Sequence, residues 1–192
     1  MAGINRWKSP ELRALQHKRE QPKDRVKPCV FISYRLLDSA VAGSVAAFLM
    51  EADIDVYFSD RDAVLMKALD DSNDRKIVQS IDAGIAEATH LLGIISNQTR
   101  GSWWVPYEFG ACRVRNVDIA LLVLEEVTEL PSYMKIAQVL ADAASVTVWA
   151  SKVNPVVLKS ASGLRVLQAP RVSPRSREIR YVSWLNILRT TG

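Results

Sequence analysis

The sequence predicts an α/β domain, a five-stranded parallel sheet with helices on both faces, carried between N- and C-terminal extensions. Three observations predict it. Short apolar runs bounded by turn residues recur along the middle of the chain (CVFISY, DVYFSD, HLLGII and DIALLVL), and such runs suit strands buried on both faces. Between them lie stretches with apolar residues three and four apart, the spacing of amphipathic helices. Strands and helices alternate, which calls for parallel strands joined by helical crossovers.

Taken in order, residues 1–28 read as a basic extension. Ser9-Pro10-Glu11 starts a short helix running to about Glu20, with Pro at the first helical position, and QPKDRVKP reads as a linker ending at Pro28. Cys29 to Tyr34 is the first strand. Asp38 or Ser39 can cap the helix that follows, whose apolar stripe is Val41, Val45, Phe48, Leu49 and Ala52. Asp55 to Asp60 is the second strand. Residues 61–75 then make a long connection, a length that in compact domains goes with function or mobility, and Val64 to Leu69 can form a helical turn within it.

Ile77, Ile81, Ile85 and Ala88 mark a second amphipathic helix, followed by a strand from His90 to Ile95. A loop holding Gly101, Ser102 and the adjacent Trp103 and Trp104 leads into a third helix over roughly Val105 to Arg115, with Pro106 and Glu108 in its first turn. Asp118 to Leu124 is the fourth strand. Pro131 to Leu140 reads as a helix, and Val146 to Trp149 as a fifth, shorter strand. Past Ala150 the pattern weakens, until Ser173-Pro174 offers a cap for a docked closing helix over Arg177 to Arg189. The domain is therefore read as 29–150, with extensions at 1–28 and 151–192.

Composition narrows the function classes. Hydrophobic content of 48% with 24% charged residues is that of a globular protein, and no apolar stretch approaches the roughly 20 residues that span a bilayer. The first twenty residues have no apolar core, so no secretory signal and no membrane partner is expected. Two cysteines, Cys29 and Cys112, exclude a disulfide framework, and two histidines leave no metal-ligand cluster; a reducing cytoplasm is the expected location. The net charge of +4 is uneven: residues 1–28 carry 8 basic and 3 acidic side chains, 151–192 carry 8 and 1, and 29–150 carry 9 and 17. Basic flanks can meet nucleic acid or an acidic partner. Here the Lys and Arg are spread out with few aromatics between them, which favours tails folded on an acidic body, and nucleic acid is not an expected partner.

In a strand order 2-1-3-4-5, the switch point where open α/β sheets bind ligands falls between strands one and three. Tyr34 and Arg35 follow strand one, and Ser96 to Glu108 follow strand three, so Arg35 and Glu108 are expected to face one crevice, with Phe58 and Asp60 on its other side. The chain has no GxGxxG after the first strand, no GxxxxGK[ST] and no GxSxG. His17 lies in the extension and His90 opens a strand, where a core or strand-end role is expected, so no Ser-His or Cys-His nucleophile is placed. A response-regulator phosphoacceptor is excluded because Ser96 stands where its aspartate is needed. One glutamate, one arginine, aromatics and hydroxyls remain. Glycoside hydrolysis ordinarily needs two carboxylates, one of them to protonate the leaving oxygen. A cationic leaving group such as the nicotinamide of NAD needs no proton, and a single carboxylate can then stabilise an oxocarbenium-like transition state. The competing reading of Glu108 is a first-turn acid favoured by the helix dipole by about 0.3–1 kcal/mol.

Val30-Phe31-Ile32-Ser33-Tyr34-Arg35, Asp55-Val56-Tyr57-Phe58-Ser59-Asp60, Ile94-Ile95-Ser96 and Trp104-Val105-Pro106-Tyr107-Glu108 occur in that order. Together they resemble successive boxes of the Toll/interleukin-1 receptor (TIR) domain, over about residues 28–150 and bracketing a flavodoxin-like pattern. That family divides between immune-receptor scaffolds and NAD-cleaving enzymes. The resemblance implies that Glu108 of W-x-x-x-E is the catalytic residue, and that Tyr34 and Arg35 of FISYR bind the substrate. It further implies that Phe58 and Trp104 line the pocket; Asp60 and Ser96, at the ends of strands two and three, are expected to bind substrate beside them. NAD is implied as substrate rather than as a permanently bound cofactor. The products implied are nicotinamide and linear, cyclic or modified ADP-ribose, which can act on a downstream effector. Free-standing bacterial members of about this size resemble the signal-producing component of Thoeris antiphage defence, and self-association or binding to other TIR domains is implied as well. Two departures stand out. The 61–75 connection lacks the glycine often found there, and Leu36 replaces a second basic residue after FISYR. Alternatives from other classes are a non-catalytic TIR interaction module, a nucleoside-processing transferase of related architecture, and nucleic-acid binding through the basic flanks.

Overall fold

The computed structural model describes residues 27–58, 74–124 and 127–155, together with the backbone of 180–182. The first four strands lie where their apolar runs predict. β1 (Cys29–Ser33) and β2 (Asp55–Tyr57) are buried throughout, and β3 (His90–Ile95) and β4 (Asp118–Val123) are buried except where they open. Shorter strands follow: β5 (Glu129–Pro131), β6 (Gln138–Leu140) and β7 (Arg180–Val182). The main sheet runs β2-β1-β3-β4-β6, every neighbouring pair parallel, which is the expected flavodoxin-like order.

Helices cover both faces. α1 (Ser39–Glu51) and α4 (Ala143–Val153) pack on one side, where Val45 and Leu49 of α1 and Val146 and Trp149 of α4 meet Val30, Ile32, Leu92 and Leu122. On the other side lie α2 (Asp74–Glu87) and α3 (Trp104–Val114). There Ile77, Ile81 and Ile85 of α2 and Cys112 of α3 meet Phe31, Tyr57 and Leu91, while Val105 and Phe109 of α3 meet Ile95, Leu121 and Val123. Sequence-adjacent strand residues feed opposite layers, so the alternation along β1 decides which side of the sheet each side chain of FISYR serves.

The fifth strand of the sheet is not the one the sequence predicts. Val146–Trp149, read as a short strand, lies inside α4, and 138–140, read as the end of a helix, is the edge strand β6. The reason is a capping box that the sequence reading did not use. The Ser145 amide donates to Asp142 Oδ1 at 2.7 Å, and the Asp142 amide donates to Ser145 Oγ at 3.0 Å. The helix so started buries Val146, Trp149 and Ala150 at i, i+3 and i+4. Large side chains are worth about 1.5–3 kcal/mol each when fully buried, more than the ~1 kcal/mol span of strand propensity. What remains helical before β6 is a five-residue 3₁₀ turn, Ser132–Ile136.

Lys27, the last basic residue of the N-terminal extension, bridges Asp53 at 2.9 Å and the buried Asp55 at 3.1 Å. In the C-terminal extension, 180–182 pair in parallel with Glu129–Pro131 as a two-stranded sheet, so these residues are strand where a helix over 177–189 was expected. The expected elements at 10–20 and 64–69, the cap at 173–174 and most of the 61–75 connection lie outside the described residues; Asp74 and Arg75 open α2.

Gly84 sets how closely α2 approaches the sheet. A Cβ there stands 2.4 Å from the Tyr57 ring and 2.9 Å from that of Phe31, two rings that stack with centroids 5.8 Å apart. Alanine ordinarily favours a helix interior over glycine by about 1 kcal/mol. Here overpacking at about 1–3 kcal/mol wins, so Gly84→Ala is expected to lower Tm in a thermal melt; a Tm at or above wild type contradicts this packing.

Candidate active site

The W-x-x-x-E spacing has a direct structural consequence. Trp104, Glu108 and Cys112 recur every fourth residue, so they form one stripe along α3. Cys112 is fully buried, Glu108 is 9% exposed and Trp104 is half-buried against the α2 layer. Helix α3 begins at Trp104 rather than Val105, with the Val105 amide donating to Ser102 Oγ at 3.2 Å. Glu108 is therefore the fifth helical residue, beyond the first turn in which it was expected. The dipole effect falls off within that turn and does not account for a carboxylate here.

Glu108 instead reaches the end of β1. The Ser33 hydroxyl donates to Glu108 Oε2 at 2.5 Å, and both groups are buried. Ser33 is paired in register with Gly93 of β3, which puts the contact at the junction of strands one and three, the switch point. Burial pushes the Glu108 carboxyl up to about 7, against the opposing pull of the Ser33 hydrogen bond, which favours the charged form. Cys112, one turn along, is pushed up to about 12 by burial and then by the Glu108 charge, so it is an inert thiol at neutral pH.

Two further groups frame this centre. Tyr34 is half-buried and Phe58 buried, and their rings meet at 5.3 Å on the α1 side of the sheet, opposite the side that holds Ser33 and Glu108. Arg35 follows in an extended conformation and opens the 3₁₀ turn Leu36–Asp38. Asp38 occupies the N-cap of α1, but its side chain makes no cap bond; its Oδ2 accepts from Ser96 Oγ at 2.7 Å. Ser96 is 3% exposed, and its Oγ also accepts from the Gln98 amide at 3.1 Å. The turn carrying Arg35 is thereby tied to the end of β3. Beside α3, Trp104 meets Tyr107 edge-on at 6.1 Å, and the Tyr107 hydroxyl donates to Asp82 of α2 at 2.7 Å.

Of the residues expected at the site, the structure brings Glu108 and Trp104 together on one helix, and Tyr34 and Phe58 together at the ends of β1 and β2. Arg35 and Ser96 are joined through Asp38, and Asp60 lies outside the described residues. Ser33 and Asp38 are functional candidates that the sequence reading passed over. A serine ending an otherwise apolar strand run was the available signal for the first. His90 opens β3, half-buried, its ring edge-on to Trp149 at 6.1 Å, the strand-end role expected of it. Among the described residues no group of three or more His, Cys, Asp or Glu could hold a metal, and no helix is long and apolar enough to cross a membrane.

The fold and this centre define a doubly wound α/β domain with a buried carboxylate at its switch point. A model of the TIR-domain family matches residues 30–151, and the chain belongs to that family. No curated protein and no solved structure matches it significantly.

Proposed function

We propose that this TIR domain is an NAD glycohydrolase or cyclase with Glu108 as its catalytic residue, in antiphage or immune-type signalling. The observation that carries the reading is the burial of Glu108 against Ser33, with its carboxyl raised to about 7. A strongly perturbed acid at the switch point of an open α/β sheet is a functional-site candidate, and a scaffold need not keep one.

The chemistry follows from the leaving group. As the bond from ribose C1′ to the pyridinium nitrogen breaks, nicotinamide takes the bonding pair and leaves neutral. Positive charge develops on the ribose. The Glu108 carboxylate accepts hydrogen bonds from the ribose hydroxyls and stabilises that charge in a site with little water. Water at C1′ gives ADP-ribose and a proton; a nucleophile within the same molecule gives a cyclic product. Arg35 supplies a guanidinium for the pyrophosphate, Trp104 and Tyr34 supply aromatic surface, and Phe58 backs Tyr34. NAD is the substrate and no resident cofactor is needed. Cys29 and Cys112 are both buried, and a reducing cytoplasm is the location this reading takes.

Ser96 contributes by holding Asp38, and Asp38 by holding the turn that carries Arg35. Asp38→Ala is expected to raise KM for NAD several-fold with kcat little changed, and Asp38→Asn, which still accepts from Ser96, to restore it. Ser96→Ala added to Asp38→Ala is expected to have little further effect in steady-state kinetics, since the two share one bond.

A second reading, a TIR interaction module, is favoured by one observation: Leu36, Leu37 and Trp103 are 67%, 74% and 88% exposed. Light scattering across a concentration series reads self-association, and nicotinamide release from NAD, present in wild type and absent in Glu108→Gln, tests the enzyme reading.

A further inference from the structure

Two hydrogen bonds cross the switch point in opposite senses. Ser33, at the end of β1, donates to Glu108 on the helix after β3; Ser96, just past β3, donates to Asp38 at the start of the helix after β1. Each strand end thus holds the acid carried by the other strand's helix. The serines differ in what they hold. Asp38 belongs to the rim, whereas Glu108 is the proposed reacting carboxylate.

We propose that Ser33 is the positioning residue for Glu108, fixing one carboxylate oxygen so that the other is presented to substrate in its ionised form. The inference rests on the reading of Glu108 as the catalytic group. Its geometric basis is the buried 2.5 Å bond to Oε2, made from a strand end whose backbone is paired in register with Gly93 of β3. Ser33 is 2% exposed, so solvent does not compete for its hydroxyl. Among the described residues, Ser33 is the one group whose hydrogen bond opposes burial in setting the Glu108 charge. Cys112, facing Glu108 from the same helix, stays protonated at neutral pH, and no charged side chain from β3, β4 or α2, the elements packed on α3, shifts the Glu108 titration.

A merely structural serine and a positioning serine predict different pH behaviour. A hydroxyl that donates to the carboxylate stabilises its charged form, so removing it leaves Glu108 protonated to a higher pH. A hydrogen bond to a charged group corresponds to about one pH unit or more. The experiment is nicotinamide release by wild type, Ser33→Ala and Ser33→Thr between pH 5 and 9, with thermal melts at each pH. In Ser33→Ala the acid limb of kcat/KM is expected to move up by about one pH unit, giving close to a tenfold loss at pH 6 and little loss at pH 9. Ser33→Thr, which keeps the hydroxyl, is expected to follow wild type. In the melts, Ser33→Ala is expected to lose stability relative to wild type as the pH rises through 7, and to lose none of this pH dependence to a general packing defect. The two failures look different. A wild type silent towards NAD at every pH overturns the reading of Glu108 on which the proposal stands. An active wild type whose acid limb and melts keep their pH dependence in Ser33→Ala overturns the positioning role alone.

Discussion

Nicotinamide release from NAD is expected to be about a hundredfold slower at pH 5 than at pH 8, with kcat/KM rising tenfold per pH unit up to about pH 7 and then levelling. The departing nicotinamide needs no proton, so the acting form of Glu108 is the carboxylate. Burial raises the carboxyl to about 7 in the free protein, and below that pH the fraction ionised falls tenfold per unit. Bound NAD carries a pyridinium charge close to the carboxylate, which favours ionisation. The acid limb of kcat is therefore expected at lower pH than that of kcat/KM. A pH–rate profile with saturating and subsaturating NAD measures both. A rate that rises towards pH 5 contradicts the account, because it would require Glu108 to act as a protonated acid.

Glu108→Gln is expected to stabilise the fold while removing its chemistry. The folded carboxyl titrates at about 7, above its ordinary value of 4.5, so the folded state holds a proton that the unfolded chain has released between those values. Wild-type stability is thus fullest below about pH 4.5 and falls as pH rises to 7, by about 3 kcal/mol at 1.36 kcal/mol per pH unit. Glutamine does not titrate and can still accept from Ser33. Its advantage should be small at pH 5 and reach about 3 kcal/mol by pH 8, several degrees in Tm for a chain of this size. Denaturant unfolding at the two pH values measures it. A variant less stable than wild type at pH 8 contradicts the burial cost assigned to this carboxylate. An acid kept at such a cost fits the trade between stability and activity seen where function is built in.

The sequence was most legible where burial and chain order act together. The first four strands are continuous apolar runs because both sheet faces are covered, and their alternation with three amphipathic helices leaves one economical topology. That topology puts the end of β1 beside the end of β3, which is why Glu108, on the helix after β3, was expected near β1, where it bonds Ser33. The region from 131 to 153 was misread because β-branched Val146, Thr147 and Val148 look like a strand, while the signal that overrides them is a two-residue capping box at Asp142 and Ser145. Glu108 fell outside the first turn because Ser102 starts α3 earlier than Pro106 suggests. Ser33 and Asp38 were passed over for a different reason. Their partners lie 75 and 58 residues away in the chain, and no local pattern encodes a hydrogen bond of that range.

The most direct test of the central claim is chromatography of NAD incubated with wild type and with Glu108→Gln, at low and high protein concentration and pH 8. The account predicts free nicotinamide with a matching ADP-ribose species from wild type, rising more steeply than protein concentration if assembly completes the pocket. It predicts none from the variant, although the variant is folded and melts higher. Equal background from both proteins at every concentration would contradict it and leave the domain as an interaction module.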